Sequence, residues 1–252
     1  MSVARSELPV SPSRNTPRNL VLSMTSQLLR FTETFRGSSF PTLAEVADGR
    51  SLVLKMKGAG NGVTALLTEF VVNRLTHLAG LPVPDACVVQ IPQNFPWEFG
   101  TDEFHDLVMK SGGANLALEW LGRTTTLPVS RYASLSPDFV SQVVTIDLTF
   151  SNFDRSAHSG NLVEDRAGRL WIVDHGSCRF LSPLRSAPDG QLPPGHIFFG
   201  REDAFDEGWL RSISPAVVAS VVAEIPDDWL RDGRMTRDFI LRELGNRLHR
   251  QP

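Results

Sequence analysis

The stretch Ser51-Leu-Val-Leu-Lys-Met-Lys-Gly-Ala-Gly-Asn-Gly62, with the run from Val63 to Ala79 behind it, decides the fold. Its first half alternates. Leu52, Leu54 and Met56 fall on one face and Val53, Lys55 and Lys57 on the other, the two-residue period of a strand over Leu52 to Lys57. The period then changes. Leu66, Leu67, Phe70, Val71, Leu75 and Leu78 predict a helix from about Val63 to Ala79, which Gly80 and Pro82 stop. Upstream, Leu28 to Phe35 and Thr42 to Ala47 read as two strands flanking Gly37-Ser38-Ser39, and Asp48-Gly49 makes a hairpin turn into the third.

Working outward, Ala86 to Ile91 reads as a further strand, followed by a Pro/Phe-rich loop, a short helix near Asp102 to Lys110 and an apolar segment at Leu116 to Leu121. Ser136-Pro137 is an N-cap with proline at the first helical turn, and it opens a helix carrying Phe139, Val140, Val143, Val144, Ile146 and Leu148. A polar loop follows from Ser151 to Gly160. Leu162-Val163 and Leu170 to Val173 then form a hairpin around Asp165-Arg166-Ala167-Gly168, ending on Asp174-His175-Gly176. Residues 181–206 are rich in Pro and Gly, and two amphipathic helices near 215–224 and 235–249 close the chain. Residues 1–26, with Arg5, Arg14, Arg18 and several Ser and Pro, are expected to be a flexible leader. They carry no apolar signal core, and proline spoils an amphipathic transit helix.

Composition narrows the function classes. The 252 residues hold 41% apolar and 21% charged side chains, an ordinary globular balance that excludes a wholly disordered or fibrous chain. A formal charge of -3 provides no global attraction to nucleic acid or to an anionic membrane. No apolar run approaches the roughly 18 residues of a membrane span. Cys87 and Cys178 fit a reducing, cytoplasmic compartment and cannot make a four-ligand zinc site without histidines.

The chemistry-bearing residues fall in three groups. Gly58 to Gly62 sits between strand and helix, yet Val63 replaces the glycine of a dinucleotide fingerprint and Val63-Thr64 replaces the Lys-Ser/Thr of a P-loop, which leaves a flexible connector. Asp154, Asn161 and Asp174 are more informative, because hairpin geometry returns Asp174 toward Asn161 and all three can converge. A carboxylate with an amide oxygen is a hard-oxygen pair suited to Mg²⁺, and a further Asp can deprotonate a hydroxyl, as in phosphoryl transfer. Turn and cap roles would also account for them, and a metal hydrolase using His158 and His175 is a further alternative. The third group is Lys55 on its strand with Glu69 on the helix, a pair that in kinase-like sites positions lysine on nucleotide phosphates. Lys57 shares the face of Lys55 and is its rival. The order of elements over residues 28–79 matches a kinase N-lobe and makes Gly37, Ser38 and Ser39 a phosphate-covering loop.

These passages resemble the HipA-like kinases, in particular their small, stand-alone bacterial branch. The residues that carry the likeness are Gly37-Ser-Ser-Phe-Pro41, Leu54-Lys-Met-Lys-Gly-Ala-Gly-Asn-Gly62, Leu81-Pro-Val-Pro84, Asn152-Phe-Asp-Arg155, Gly160-Asn-Leu162 and Ile172-Val-Asp-His-Gly176. Ile225-Pro-Asp-Asp-Trp229 adds to it more loosely. The resemblance implies an α+β, two-lobed protein-kinase-like fold. Residues 27–121 would form an N-lobe, an antiparallel sheet with one helix, together with the hinge. Residues 122–252 would form a mainly helical C-lobe with a catalytic loop and a β-hairpin. It implies ATP and Mg²⁺ as cofactors, Lys55 on phosphate, Asp154 as the catalytic aspartate, and Asn161 and Asp174 as metal ligands. Leu118 to Leu121, with Glu119 and Trp120, would be the hinge whose backbone reads adenine. The implied activity is phosphoryl transfer to a protein Ser/Thr hydroxyl, with an unidentified protein substrate and an antitoxin-like partner. A nucleotide-binding pseudokinase scaffold, or transfer of phosphate or AMP to a different acceptor, are the alternatives. The chain is shorter than full-length HipA toxins, and its Asp154-to-Asn161 gap is two residues longer, so toxin activity does not transfer.

Overall fold

The computed structural model describes residues 25–248 except 36, 38, 61, 97–99 and 182–189. Of the expected leader, residues 1–24 lie outside the described residues, while Thr25 and Ser26 already belong to a strand. That strand, β1 (Thr25–Thr34), is followed by β2 (Thr42–Val46), β3 (Ser51–Lys55), α1 (Gly62–Leu78), β4 (Ala86–Ile91), α2 (Asp102–Lys110) and β5 (Gly113–Glu119). Then come β6 (Thr125–Thr126), α3 (Pro137–Phe150), β7 (Leu162–Glu164), β8 (Leu170–Ile172), α4 (Glu207–Ser212), α5 (Pro215–Ala223), α6 (Asp227–Asp232) and α7 (Arg237–Leu248). The fold is α+β.

The first five strands close into a barrel in the order β1-β2-β3-β5-β4. This corrects the expected antiparallel sheet with one helix on two points. β1 pairs antiparallel with β2 through Leu28 to Thr34 but parallel with β4 through Thr25 to Gln27, and that parallel pair closes the ring. Two register shifts in β1, between Leu28 and Arg30 and between Phe31 and Glu33, bend the strand so that one segment serves both neighbours. The second point is α2, read in the sequence at Asp102 to Lys110 but absent from the one-helix lobe that the resemblance implies; it brings Phe104, Leu107 and Val108 into the barrel's apolar filling. Its N-terminus is capped by Thr101, whose hydroxyl accepts the Phe104 N–H at 3.3 Å.

Alternation along β3 works as its sequence demands. Leu52, Leu54 and Met56 point into the barrel with Ala44, Val46, Cys87 and Val89, and Lys55 faces away toward α1. β4 and β5 are apolar on both faces, because their outer residues Val88, Leu116 and Leu118 pack on α1. α1 itself is buried from Leu66 through Thr76 without a break, so Glu69, Asn73 and Arg74 are polar groups in a dry setting that must be partnered. Gly58 is more than a flexible connector. A Cβ there would lie 2.9 Å from both Lys110 Cβ and Ser111 Oγ, so the chain after β3 is pressed onto the end of α2.

The second apolar cluster joins α1 to α3, α5, α6 and α7. Ser136 caps α3 by accepting the Phe139 N–H at 3.2 Å, and the helix ends at Ser151 in the left-handed region, φ 55°. β7 and β8 pair after the polar loop, and β6, from before α3, adds to β7 as the third strand of a small sheet. The Asp165 carboxylate ties its turn together, accepting N–H groups from Ala167, Arg169 and Trp171 at 2.9–3.0 Å.

Candidate active site

Lys55 ends β3 and is buried, with its ammonium shared between two carboxylates. It donates to both oxygens of Glu69 at 2.7 Å and to Asp174 Oδ1 at 3.0 Å. Glu69 is wholly buried on α1, whereas the Asp174 side chain is 49% exposed. Burial pushes the Lys55 ammonium down, but Glu69 and then Asp174 outweigh it and hold its pKa above the ordinary lysine range. Burial raises Glu69, against the pull of Lys55. Burial also pushes Asp174 up, and Lys55 more than reverses this, so that Asp174 stays ionised. The network is therefore one fixed cation, one dry carboxylate and one wet carboxylate facing outward.

Lys57 plays no part in it. It lies past the end of β3, its backbone N–H donates to Asn115 Oδ1 at 2.8 Å, and its ammonium stands 3.7 Å from Asp228. Lys55→Ala is accordingly expected to weaken ATP use at least ~10-fold more than Lys57→Ala, a difference of about 1.4 kcal/mol. Steady-state kinetics of the two variants checks this, and equal impairment would assign the lysine wrongly.

The hairpin brings Asn161 to Asp174. Leu162 pairs with Ile172, and Val173 donates its N–H to the Asn161 carbonyl at 3.0 Å. Both residues occupy the left-handed region, Asn161 at φ 48° and Asp174 at φ 61°, which Asn and Asp tolerate best among residues with a side chain. The Asn161 side-chain nitrogen is buried with no protein partner. A buried amide N–H left without a protein partner fits a site completed by a ligand's acceptor, and the oxygen of the same amide is the atom that could meet a cation. Among the described residues no three His, Cys, Asp or Glu side chains could hold a metal by themselves. A two-residue oxygen site of this kind suits Mg²⁺, which keeps waters and shares phosphate oxygens.

Asp154 stands exposed in the loop between α3 and β7. Its Oδ1 accepts from Ser159 Oγ at 3.2 Å and its Oδ2 from Ser177 Oγ at 3.5 Å, which ties it to the segment three residues beyond Asp174. Gly37 and Ser39 lie in the β1–β2 turn, where Phe40 donates its N–H to the Gly37 carbonyl at 3.1 Å. Ser38 lies outside the described residues. The expected hinge begins on the last two residues of β5, Leu118 and Glu119, and runs past its end. Glu119 bonds through its backbone to the Asp85 carbonyl at 2.8 Å, and Trp120 stacks on Phe35 at 5.6 Å beside that same turn. Leu121 is half-buried next to it.

The metal-hydrolase alternative finds no support. His158 is exposed, whereas His175 is buried with Nδ1–H on Asn73 Oδ1 at 2.7 Å. Burial pushes its pKa down to about 3, so it is neutral.

Sequence reasoning has Arg155 help to fix the loop after α3 but misses its partner Asp147 and, beyond it, His196. Arg155 is wholly buried. Its guanidinium pairs with Asp147 of α3 and donates to the Gly160 and Asn161 carbonyls at 3.0 Å. Asp147 also accepts from Asn152 Nδ2 and from His196 Nε2, both at 2.8 Å. His196 Nδ1 accepts the Phe198 N–H at 3.0 Å, so its proton sits on Nε2. Apolar spacing on α3 gave no signal for a buried Asp147. An Asp among the aliphatics of a helix was the clue available.

Burial pushes the Asp147 carboxyl up, but Arg155 and His196 pull it well below the ordinary range. Its unfolded value is about 3.9, so its contribution is complete above about pH 5 and is lost as pH falls toward its folded value. Thermal denaturation is expected to show stability falling below about pH 4. The Asp147→Asn variant, at a cost of about 3–5 kcal/mol for the unpaired Arg155, should lose that acid slope.

The family model for the HipA-like kinases matches residues 31–251. The chain belongs to the HipA-like kinase family. As a HipA-like kinase it is an enzyme of phosphoryl transfer, and the family implies use of ATP and a divalent metal in general terms. The crystal structure of a Helicobacter pylori proinflammatory kinase, CtkA, is similar at TM-score 0.54 and 12% identity, covering 86% of this chain and 91% of that one, which shows a shared fold. Two structures of CtTel1, a complete dimer with C2 symmetry and an open conformation, match at TM-score 0.39 and 12% identity. They cover 97% of this chain and 12% of theirs. No curated protein sequence matches. Among the described residues no helix is long and apolar enough to cross a membrane.

Proposed function

We propose that this HipA-like kinase uses ATP and Mg²⁺ to phosphorylate a Ser or Thr hydroxyl of a protein. The observation that carries the reading is the Lys55 ammonium held between Glu69 and Asp174. A lysine fixed by a dry glutamate is a rigid cation for nucleotide phosphates, and Asp174 beside it presents charge to a metal. Residues 27–121, which hold most of the barrel with α1 and α2, would act as one lobe and residues 122–252 as the other, with nucleotide between them. Backbone groups of Glu119, Trp120 and Leu121 would read adenine. N–H groups of the Gly37–Ser39 turn would cover phosphate oxygens.

Asn161 and Asp174 would hold Mg²⁺, whose chemistry is to neutralise charge on the phosphate oxygens. Asp154 orients the acceptor hydroxyl and takes its proton. The hydroxyl oxygen forms a bond to the γ-phosphorus as the bond from that phosphorus to the bridging oxygen breaks, and ADP leaves. Ser159 and Ser177 hold the Asp154 carboxylate in orientation by their hydroxyls. A cytoplasmic location and an antitoxin-like partner belong to the same proposal, and neither nucleic acid nor membrane has a role in it.

Incubation of the full chain with ATP and Mg²⁺ and candidate protein acceptors, followed by intact mass, tests the reading. A gain of one phosphate on a Ser or Thr supports it. A gain of AMP would redirect it to nucleotidyl transfer, and no gain, with nucleotide still bound, would make the chain a scaffold.

A further inference from the structure

The motif Ile225-Pro-Asp-Asp-Trp229 takes no part in the chemistry above, yet it is built into the core. Trp229 is 0% exposed, and its indole N–H donates to the Ala114 carbonyl of β5 at 2.9 Å. Its ring meets Phe70 edge-on, centroids 5.8 Å apart and planes at 82°. Phe70 is the neighbour of Glu69 on α1, and Ala114 lies two residues from Leu116, the strand partner of Lys55.

The flanking charges point the same way. Glu224 takes Arg74 of α1 in a two-point bond, with Nε to Oε2 at 3.0 Å and Nη2 to Oε1 at 3.1 Å. The third guanidinium nitrogen goes to Asp85 at 2.8 Å. Asp228 faces Lys57, two residues past Lys55. Arg237 of α7 in turn binds Asp227 and the Ile225 carbonyl, so the segment is itself held. One short stretch thus touches the helix that carries Glu69, the strand beside Lys55, and the chain just past Lys55. A bidentate Arg–carboxylate pair and a buried indole bond have narrow geometries. The indole bond fixes Trp229 on β5, so α1, gripped through Arg74 and packed through Phe70 on that fixed ring, cannot slide without breaking these contacts.

We infer that residues 224–229 hold α1 against the barrel, and that Glu224 and Trp229 are positioning residues for the Lys55–Glu69 pair. The inference rests on the reading of Lys55 as the phosphate-binding lysine.

A double-mutant cycle on the full chain tests it. Glu224→Gln keeps a hydrogen bond to Arg74 and loses the charge; Trp229→Phe keeps the ring contact and loses the N–H bond. Each, shown folded by circular dichroism, is expected to lower kcat/KM for ATP, and Lys55→Ala added to either is expected to cost about tenfold less than in the unaltered chain, a coupling typical of residues that act through one another. A merely structural role leaves the two effects additive, and additivity overturns the inference, as does unaltered kcat/KM in folded variants. Should Trp229→Phe not fold, Glu224→Gln, whose side chain is 31% exposed, carries the cycle. If Lys55→Ala by itself leaves turnover unaltered, the assignment of the lysine fails and the inference falls with it, an outcome the single variant identifies.

Discussion

Asp154→Asn is expected to lower phosphoryl transfer at least ~100-fold, the low end of general-base effects, and to leave ATP affinity near normal. Asparagine matches aspartate in size; its amide oxygen can accept from one of Ser159 and Ser177 and its nitrogen can donate to the hydroxyl oxygen of the other, so the loop keeps its shape. What it cannot do is take a proton. A group that acts mainly in the transition state is lost from kcat and spared in ground-state binding. The loop is insulated from the change because its framework is the buried Asp147–Arg155 pair, eight residues apart and remote from solvent. Calorimetric titration with ATP and a single-turnover transfer assay measure the two halves. Wild-type transfer by Asp154→Asn would make Asp154 a loop-structuring residue and would remove the base from the mechanism.

The second large effect is expected at Asp174. Asp174→Asn removes a charge from a half-exposed carboxylate that binds the Lys55 ammonium, at the end of a hairpin whose neighbouring residue, Val173, bonds the Asn161 carbonyl. The substitution preserves the backbone, since asparagine also accepts the left-handed conformation that Asp174 adopts at φ 61°. Lys55 keeps both bonds to Glu69. The fold should therefore survive while Mg²⁺-dependent turnover drops ~100-fold or more, because the metal supplies several kcal/mol of charge stabilisation in phosphoryl transfer. ATP titrations with and without Mg²⁺ decide it. The wild type should bind more tightly with the metal, and the variant should be indifferent to it. If Mg²⁺ dependence is unaltered in the variant, Asp174 is not a metal ligand.

Much of the site could be read from the chain because it is specified over short distances. Two-residue alternation sets Lys55 opposite the barrel-facing Leu54 and Met56, whatever the rest of the molecule does. A hairpin of known turn returns Asp174 beside Asn161 for the same reason: thirteen residues through a tight turn leave no other meeting place. The N-cap at Ser136, the turn at Asp48-Gly49 and the limits of β4 and α2 are likewise local, and the observed elements begin and end where their residues dictate.

Other features needed the tertiary structure. Alternation gives Lys55 and Lys57 the same face, and it took the end of β3 and the presence of Asp228 to separate them. Barrel closure depends on Thr25 to Gln27 finding Val88 to Gln90 in parallel, a pairing across more than half of the barrel sequence that no local period encodes. Glu69 could be paired with Lys55 from the sequence, but Asp174 as a second carboxylate on the same ammonium could not. Asp147 and His196 stand 49 residues apart, Trp229 and Ala114 115 apart, and Arg74 and Glu224 150 apart. Buried polar groups of this kind must find partners or the fold is penalised, yet the rule states only that partners exist. Which residues they are is settled by the packing of α1, α3 and the C-terminal helices around one apolar core, where position in space, and not spacing along the chain, decides who meets whom.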